Sequence, residues 1–143
     1  MANRHFQFRL RSHPNAAAAS IDNLSVEMLV EGGAWQRQQP QLDSPPFRLY
    51  LIALLLCEHR QLVVHSQERG LPLHQVSADY SVSTSADWDL LRISSRFRIQ
   101  LEAAATTLEP LDRAWLVERM RLCPVGRNLP ATVERELTLA MES

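Results

Sequence analysis

Apolar and polar residues alternate with a period of two in several stretches of the chain, a pattern typical of strands with one buried face. The clearest stretch is 91–101, where apolar positions alternate with positions rich in arginine. The other segments predicted as strands are 6–10, 26–30, 76–82 and 133–141. The sequence His-Pro-Asn at 13–15 and the alanines at 16–19 are expected to break the first strand.

Two other segments follow the helical period instead. The first predicted helix runs from about 47 to 68 or 69, with prolines before it that suit a first helical turn and Gly70 after it. The second opens at Pro110 and carries Cys123 on its apolar stripe. Residues 34–44 are expected to form an irregular connection.

The predicted element order is therefore ββ-α-ββ-α-β. It indicates an α+β fold with a mostly antiparallel sheet and helices on one side. The first helix is apolar on every side between Leu49 and Cys57, which favours burial all round. Since one small sheet cannot cover such a helix completely, we expect a second copy of the chain to do so in a homodimer.

Length and composition narrow the function classes. The 143 residues suit a single domain spanning 1–143, and 45% hydrophobic with 22% charged residues is an ordinary globular balance. A formal net charge of −1 gives no reason to expect nucleic acid as a partner. No secretory signal is visible, and the longest apolar run is far shorter than the roughly 20 residues that span a bilayer. We therefore expect a cytoplasmic protein without a membrane partner.

The two cysteines are the main candidates for chemistry. Cys57 lies where the apolar part of the first helix gives way to polar residues, and Arg60 follows one turn later. A guanidinium within side-chain reach favours the thiolate form of a cysteine. Disulfide staples are rare in cytosolic proteins, so redox use is one interpretation of the pair. The alternative from spacing alone is that Cys57 and Cys123 are both inert core residues.

Other motifs give weaker signals. The five histidines show no metal-ligand spacing, and Cys57, Glu58 and His59 point in different directions, so neither a metal nor a cofactor is expected. No phosphate-binding loop, dinucleotide-binding fingerprint or nucleophile-elbow pattern occurs. The arginines of the 91–101 strand are interpreted as a solvated sheet face, the alternative being a surface that binds an anion or a partner.

Two segments resemble a known family. The sequence Pro-Phe-Arg-Leu-Tyr-Leu-Ile-Ala-Leu-Leu-Leu-Cys at 46–57, followed by Gly-Leu-Pro-Leu at 70–73, is similar to the central helix of the OsmC/Ohr family of osmotically inducible and organic hydroperoxide resistance proteins. Cys-Pro-Val-Gly-Arg-Asn-Leu at 123–129 resembles the second-cysteine motif of that family. The resemblance covers about residues 44–141.

The resemblance implies a two-cysteine thiol peroxidase that works as an intertwined homodimer. Cys57 would be the peroxidatic residue, whose thiolate attacks an organic hydroperoxide, and Cys123 the resolving residue that forms a disulfide with it. An external dithiol would then reduce the disulfide. The resemblance implies no cofactor.

The chain departs from the family pattern at the residues that activate the thiolate. The family places a glutamate nine or ten residues before the first cysteine, where this chain has Phe47 and Arg48. Upstream candidates for the arginine that pairs with this glutamate are Arg4, Arg9, Arg11 and Arg37. Glu58, next to Cys57 in sequence, is expected to disfavour the thiolate.

These departures predict a weak peroxidase. The alternative within the same fold is a non-catalytic protein that binds a small apolar ligand or a protein partner. A third class is an unrelated α+β binding domain with two core cysteines.

Overall fold

The computed structural model describes residues 2–15, 20–102 and 107–142. Three strands precede the first helix, two strands separate it from the second, and one strand ends the chain. The elements are β1 (Arg4–Asn15), β2 (Ser20–Leu29), β3 (Trp35–Arg37), α1 (Pro46–Glu68), β4 (Leu73–Thr84), β5 (Leu90–Leu101), α2 (Pro110–Arg121) and β6 (Glu134–Met141). A single 3-10 turn at Gly126–Asn128 lies between α2 and β6.

All six strands form one sheet in the order β3-β2-β1-β4-β5-β6. Neighbouring strands are antiparallel except β5 and β6, which are parallel and are connected through α2. The expected α+β class with a mostly antiparallel sheet is therefore confirmed. The expectation of an irregular connection over 34–44 is wrong for Trp35–Arg37, which pairs with the end of β2. Three residues are too few for an alternation to be recognised.

The first strand is longer than its pattern predicted. It continues through Pro14 to Asn15, with a register shift between Arg11 and His13. The pairing with β4 ends at Ser12, so that Pro14 is paired only with Ile21 of β2. A proline is tolerated there because one side of the strand needs no hydrogen-bond donor. The alanines at 16–19 lie outside the described residues.

One face of the sheet is apolar and the other is charged. The buried face carries Phe8, Leu10, Val76, Ala78, Tyr80, Ile93, Phe97, Ile99, Leu137 and Leu139. On the opposite face Arg98 is paired with Asp79 at 2.7 Å, and both Arg92 and Arg96 are paired with Glu136. The arginines of β5 thus have carboxylate partners, as is usual on a solvated sheet face.

Helix α1 begins and ends where the sequence predicted. Pro46 occupies its first turn, and Gly70 follows it with a left-handed φ of +68°, which costs glycine little because it has no Cβ. The helix packs a stripe of side chains on the sheet, including Leu51, Leu55, Glu58, His59 and Leu62. Within the part of the chain that the structure describes, neither helix combines the length and hydropathy that crossing a membrane requires.

The opposite side of α1 is open to solvent in the single chain. Tyr50 is 37% exposed, Val64 is 38% exposed, and Ala53 between them is also exposed. Burial of α1 on every side is therefore not achieved by one chain. A second copy that covers this side stays a prediction.

Candidate thiol site

The structure brings the two cysteines together although 66 residues separate them in sequence. Cys57 lies on α1 and is partly exposed, whereas Cys123 lies two residues beyond the end of α2 and is completely buried. Both are free thiols, and they lie close enough for Cys57 to raise the pKa of Cys123. A reversible disulfide between them stays a prediction, and it requires Cα atoms that lie or can come within roughly 7 Å of each other.

The surroundings of Cys123 keep it protonated. The backbone N–H of Gly126 donates a hydrogen bond to its Sγ at 3.2 Å. Burial, and next the hydrogen bond to Cys57, raise the pKa of Cys123 to about 11, while the Gly126 N–H acts in the opposite direction. A thiol of this kind is poorly suited to attack a peroxide first at neutral pH, but as the protonated partner it can donate a hydrogen bond to a Cys57 thiolate.

Arg60 lies on α1 one turn beyond Cys57. It is exposed, and it lines a cavity of about 150 Å³ together with Pro14, Ser20 and Ile21. No hydrogen bond or ion pair joins it to either thiol within residues 2–15, 20–102 and 107–142. A role of Arg60 in holding a thiolate stays a prediction.

A buried ion pair lies beside the thiols. Glu58 has no exposed surface, and its carboxylate accepts a hydrogen bond from the Ser95 hydroxyl at 2.8 Å and another from Arg135 Nη2 at 2.7 Å. Arg135 comes from β6, and its Nη1 donates to the carbonyl oxygen of Arg121 at 2.9 Å. Burial raises the pKa of Glu58, and the hydrogen bonds from Arg135 and Ser95 oppose that rise.

Gly126 allows the guanidinium to approach the turn after Cys123. A Cβ at this position would lie 2.7 Å from both Nη1 and Nη2 of Arg135, and 2.9 Å from the Arg121 carbonyl oxygen. Contacts that short are not tolerated, so a side chain at 126 would displace the guanidinium. Glycine is required here for close approach and not for an unusual φ.

Two polar atoms next to this ion pair have no hydrogen-bond partner among the described residues. They are the Tyr80 hydroxyl and Nε of Arg135. Burial first, and then the nearby Glu58 carboxylate, raise the pKa of Tyr80 well above its usual value. Tyr80 is therefore a neutral phenol at the edge of the thiol site.

Two of the four upstream arginines considered from the sequence, Arg4 and Arg9, have partners away from the thiols. Arg4 stacks on Trp88 with its Cζ 4.1 Å from the ring centroid, and Arg9 is paired with Glu27 at 2.8 Å. Arg37 lines a polar pocket with Arg48. The arginine that the structure places beside the thiols is Arg135, which follows both cysteines in the chain.

The two positions where the family has its activating glutamate hold Phe47 and Arg48, and neither side chain is a carboxylate. Phe47 packs against Phe6 and Trp88, with ring centroids 5.8 and 5.4 Å away. The side chain therefore belongs to an aromatic cluster at the start of α1. A carboxylate there would have lost its hydration among these rings.

The positions of Glu58 and Arg135 in the sequence pattern indicate that both side chains point inward. Glu58 lies on the same stripe of α1 as Leu55 and Leu62, and Arg135 alternates in phase with the buried Leu137 of β6. Ser95 similarly occupies an inward position of β5 between buried apolar residues. Polar residues at inward positions of three elements predict a buried polar network, although not which members meet.

His59 is buried beside this region and bonded to β1. Its Nε2 and the Ser12 hydroxyl form a hydrogen bond of 2.7 Å. Burial lowers the pKa of His59 to about 4, so the ring is neutral at physiological pH. Among the residues that the structure describes, no group of three His, Cys, Asp or Glu side chains is arranged to hold a metal ion.

Comparisons with known proteins identify the fold. No family model and no curated protein matches the sequence. An osmotic stress induced and detoxification response protein from Psychrobacter arcticus 273-4 superposes with a TM-score of 0.58 at 10% identity, over 80% of this chain and 87% of its own. A second solved structure, from structural genomics, matches 99% of this chain and 100% of its own with a TM-score of 0.54 at 14% identity.

An OsmC-like hydroperoxide resistance protein from Jannaschia sp. CCS1 covers 87% of this chain and 85% of its own, with a TM-score of 0.49 at 13% identity. At these identities a match reports the fold and not the activity. The superpositions with the first two structures show that the chain shares their fold, and this α+β architecture agrees with the one that the sequence resemblance implies.

Proposed function

We propose that this chain is a two-cysteine thiol peroxidase of the OsmC/Ohr type that reduces organic hydroperoxides. The observation that carries the proposal is that Cys57 and Cys123, which are far apart in sequence, are neighbours in the fold, one partly exposed and the other buried. Two neighbouring free thiols, with only one of them open to solvent, suit a division into an attacking and a resolving cysteine.

The reaction has two oxidative steps. The Cys57 thiolate attacks the O–O bond of the hydroperoxide, takes one oxygen as sulfenic acid, and releases the alcohol after proton uptake. The Cys123 thiol then attacks the Cys57 sulfur, forming the disulfide and releasing water. An external dithiol returns both residues to thiols. We place this cycle in the cytoplasm, where dithiol reductants are kept reduced.

The proposed activity is weak compared with that of family peroxidases. The two positions where the family has the carboxylate that orients the thiolate hold Phe47, which packs in an aromatic cluster, and Arg48. The neighbouring Cys123 thiol and the pair of Glu58 and Arg135 are polar groups that the structure does place near Cys57.

Consumption of cumene hydroperoxide with dithiothreitol as reductant tests the proposal. The wild-type chain should consume peroxide, and Cys57→Ser should reduce the rate to that of buffer, because the attacking sulfur is lost. Cys123→Ser should still oxidise Cys57 but form no intramolecular disulfide. A wild-type rate equal to that of Cys57→Ser would contradict a peroxidase function.

We also propose that the chain works as a homodimer built around the exposed side of α1. Tyr50, Ala53 and Val64 present apolar surface there, on the side of the helix that also carries Cys57. Covering this surface with a second copy would remove it from water and shield the thiol site.

Substitution of Ala53 tests the dimer. The wild-type chain should sediment with twice the monomer mass at micromolar concentration, and Ala53→Glu should shift it towards the monomer because a charge would be buried at the interface. Leu111→Glu is the matched control, since Leu111 is 85% exposed on α2 and outside this surface. A monomeric wild-type chain, or equal effects of the two changes, would argue against the assembly.

A second candidate function is the binding of a small apolar ligand without catalysis. The cavity of about 150 Å³ that Arg60 lines is otherwise formed mainly by apolar groups, among them Ile21, Val63, Leu71 and Leu73. Its volume fits only a small molecule. Binding of such a ligand by a chain that consumes no peroxide would favour this function over the first.

A further inference from the structure

A single guanidinium connects the two segments that carry the cysteines. Nη2 of Arg135 contacts the carboxylate of Glu58, the residue after Cys57. Nη1 contacts the carbonyl of Arg121, two residues before Cys123. Because one planar group makes both contacts, the spacing between the end of α2 and the middle of α1 depends on its geometry.

The same guanidinium lies against the turn that holds Cys123. Gly126 donates its N–H to the Cys123 Sγ, and its Cα faces both Nη atoms of Arg135 so closely that a Cβ would not fit. Arg135 therefore contacts this turn at its start, through Arg121, and at its end, through Gly126.

The sheet anchors this arrangement. Glu58 is fixed by the Ser95 hydroxyl of β5, while Arg135 itself belongs to β6, the neighbouring strand. The Arg135 side chain is only 10% exposed. A paired and buried group of this kind has little freedom to leave its position.

We propose that Arg135 is a positioning residue for disulfide formation, which holds the Cys123 turn in register with Cys57. The inference rests on the proposed function. In the step concerned, the Cys57 sulfenic acid and the Cys123 thiol form the S–S bond and release water. Arg135 acts through Arg121, Gly126 and Glu58, and not on the peroxide.

Positioning decides between two fates of the sulfenic acid. With Cys123 in place, the disulfide forms. When Cys123 is displaced, a second hydroperoxide oxidises the sulfenic acid to sulfinic acid and leaves as alcohol. Loss of Arg135 should therefore favour overoxidised Cys57 at the expense of the disulfide.

Two variants of the full chain separate positioning from folding. Arg135→Lys keeps a cation near Glu58 but lacks the planar guanidinium, whose second Nη reaches the carbonyl of Arg121 at the same time. The double variant Glu58→Gln, Arg135→Met removes both charges and leaves none unpaired. Arg92→Lys is the matched control, because Arg92 is an exposed arginine of the same sheet with a carboxylate partner.

The first readout needs no peroxide. Each protein is equilibrated in glutathione redox buffers, and the ratio of disulfide to dithiol gives the effective concentration of Cys123 at Cys57. Both Arg135 variants should lower it on the order of tenfold relative to wild type, since effective concentration depends on the geometry of the reacting groups. Arg92→Lys should leave it unchanged.

The second readout is the product after a pulse of cumene hydroperoxide. Mass mapping should show several times more sulfinic Cys57 in both Arg135 variants than in wild type. The thermal midpoint of Arg135→Lys should stay close to that of Arg92→Lys. A lower effective concentration in Arg135→Lys could then not be explained by unfolding.

The outcomes are distinct. The inference would be overturned if both Arg135 variants had the same effective concentration as wild type. It would also be overturned if the effective concentration fell only in proportion to the fraction of unfolded protein. A wild-type chain without peroxide turnover, whose Arg135 variants still show the lower effective concentration, would refute the peroxidase and leave the positioning role in place.

Discussion

Replacing Arg135 with methionine should lower the free energy of unfolding by about 3–5 kcal/mol, the range for removing one partner of a buried ion pair. Glu58 has no exposed surface, so its carboxylate would remain buried with the Ser95 hydroxyl as its only other partner among the bonds described for it. Urea denaturation at pH 7 measures the loss, provided that the slope of the transition is unchanged.

Two further variants test the cause of this loss. Arg92→Met removes an arginine from an exposed pair and should cost no more than about 1 kcal/mol. Adding Glu58→Gln to Arg135→Met should restore part of the stability, because no charge is left unpaired. A loss for Arg135→Met as small as that for Arg92→Met would mean that Glu58 finds water or another partner.

Lowering the pH from 7 towards 4 should destabilise the fold by about 3 kcal/mol through His59 alone. Burial lowers its pKa to about 4 in the folded chain, from 6.5 in the unfolded chain. The folded state therefore favours the neutral ring, and the unfolded state takes up the proton first. This contribution is fully present above pH 6.5 and is lost progressively as the pH falls to about 4.

Comparing the pH dependence of variants isolates this effect. His59→Gln should flatten the fall of the unfolding free energy between pH 6.5 and 4, although it will also change stability at pH 7 through the bond to Ser12. His5→Gln is the control at an exposed histidine. An unchanged slope in His59→Gln would show that other groups, the carboxylates among them, account for the acid sensitivity.

Most of the fold could be predicted from short-range features of the sequence. The prolines before α1 and Gly70 after it gave both ends of the helix, and the alternation over 91–101 gave β5 almost residue for residue. The end of β1 could not be predicted from Pro14, because its tolerance there depends on which neighbouring strand is present. The three residues of β3 carry no period at all.

The candidate site was predictable only in part. The cysteines stood out by residue type and by the motif around each. Glu58 and Arg135 are 77 residues apart, and their contact depends on how α1 crosses the sheet and on β6 joining β5 in parallel. Their inward positions are visible in the sequence, but the pairing is a property of the tertiary structure. Without the tertiary structure, only arginines upstream of Cys57 were candidates for the activating residue.

Because the two sulfurs are unequally buried, a reductant would attack one sulfur of the proposed disulfide and expel the other. In the proposed disulfide, an incoming dithiol would reach the Cys57 sulfur and not that of Cys123, which has no exposed surface in the thiol form. Cys123 is then the group expelled. Because the pKa of its thiol is raised to about 11, it departs slowly. In such a cycle, the slow departure of Cys123 prolongs the lifetime of the oxidised form relative to that of a disulfide with an unperturbed leaving thiol.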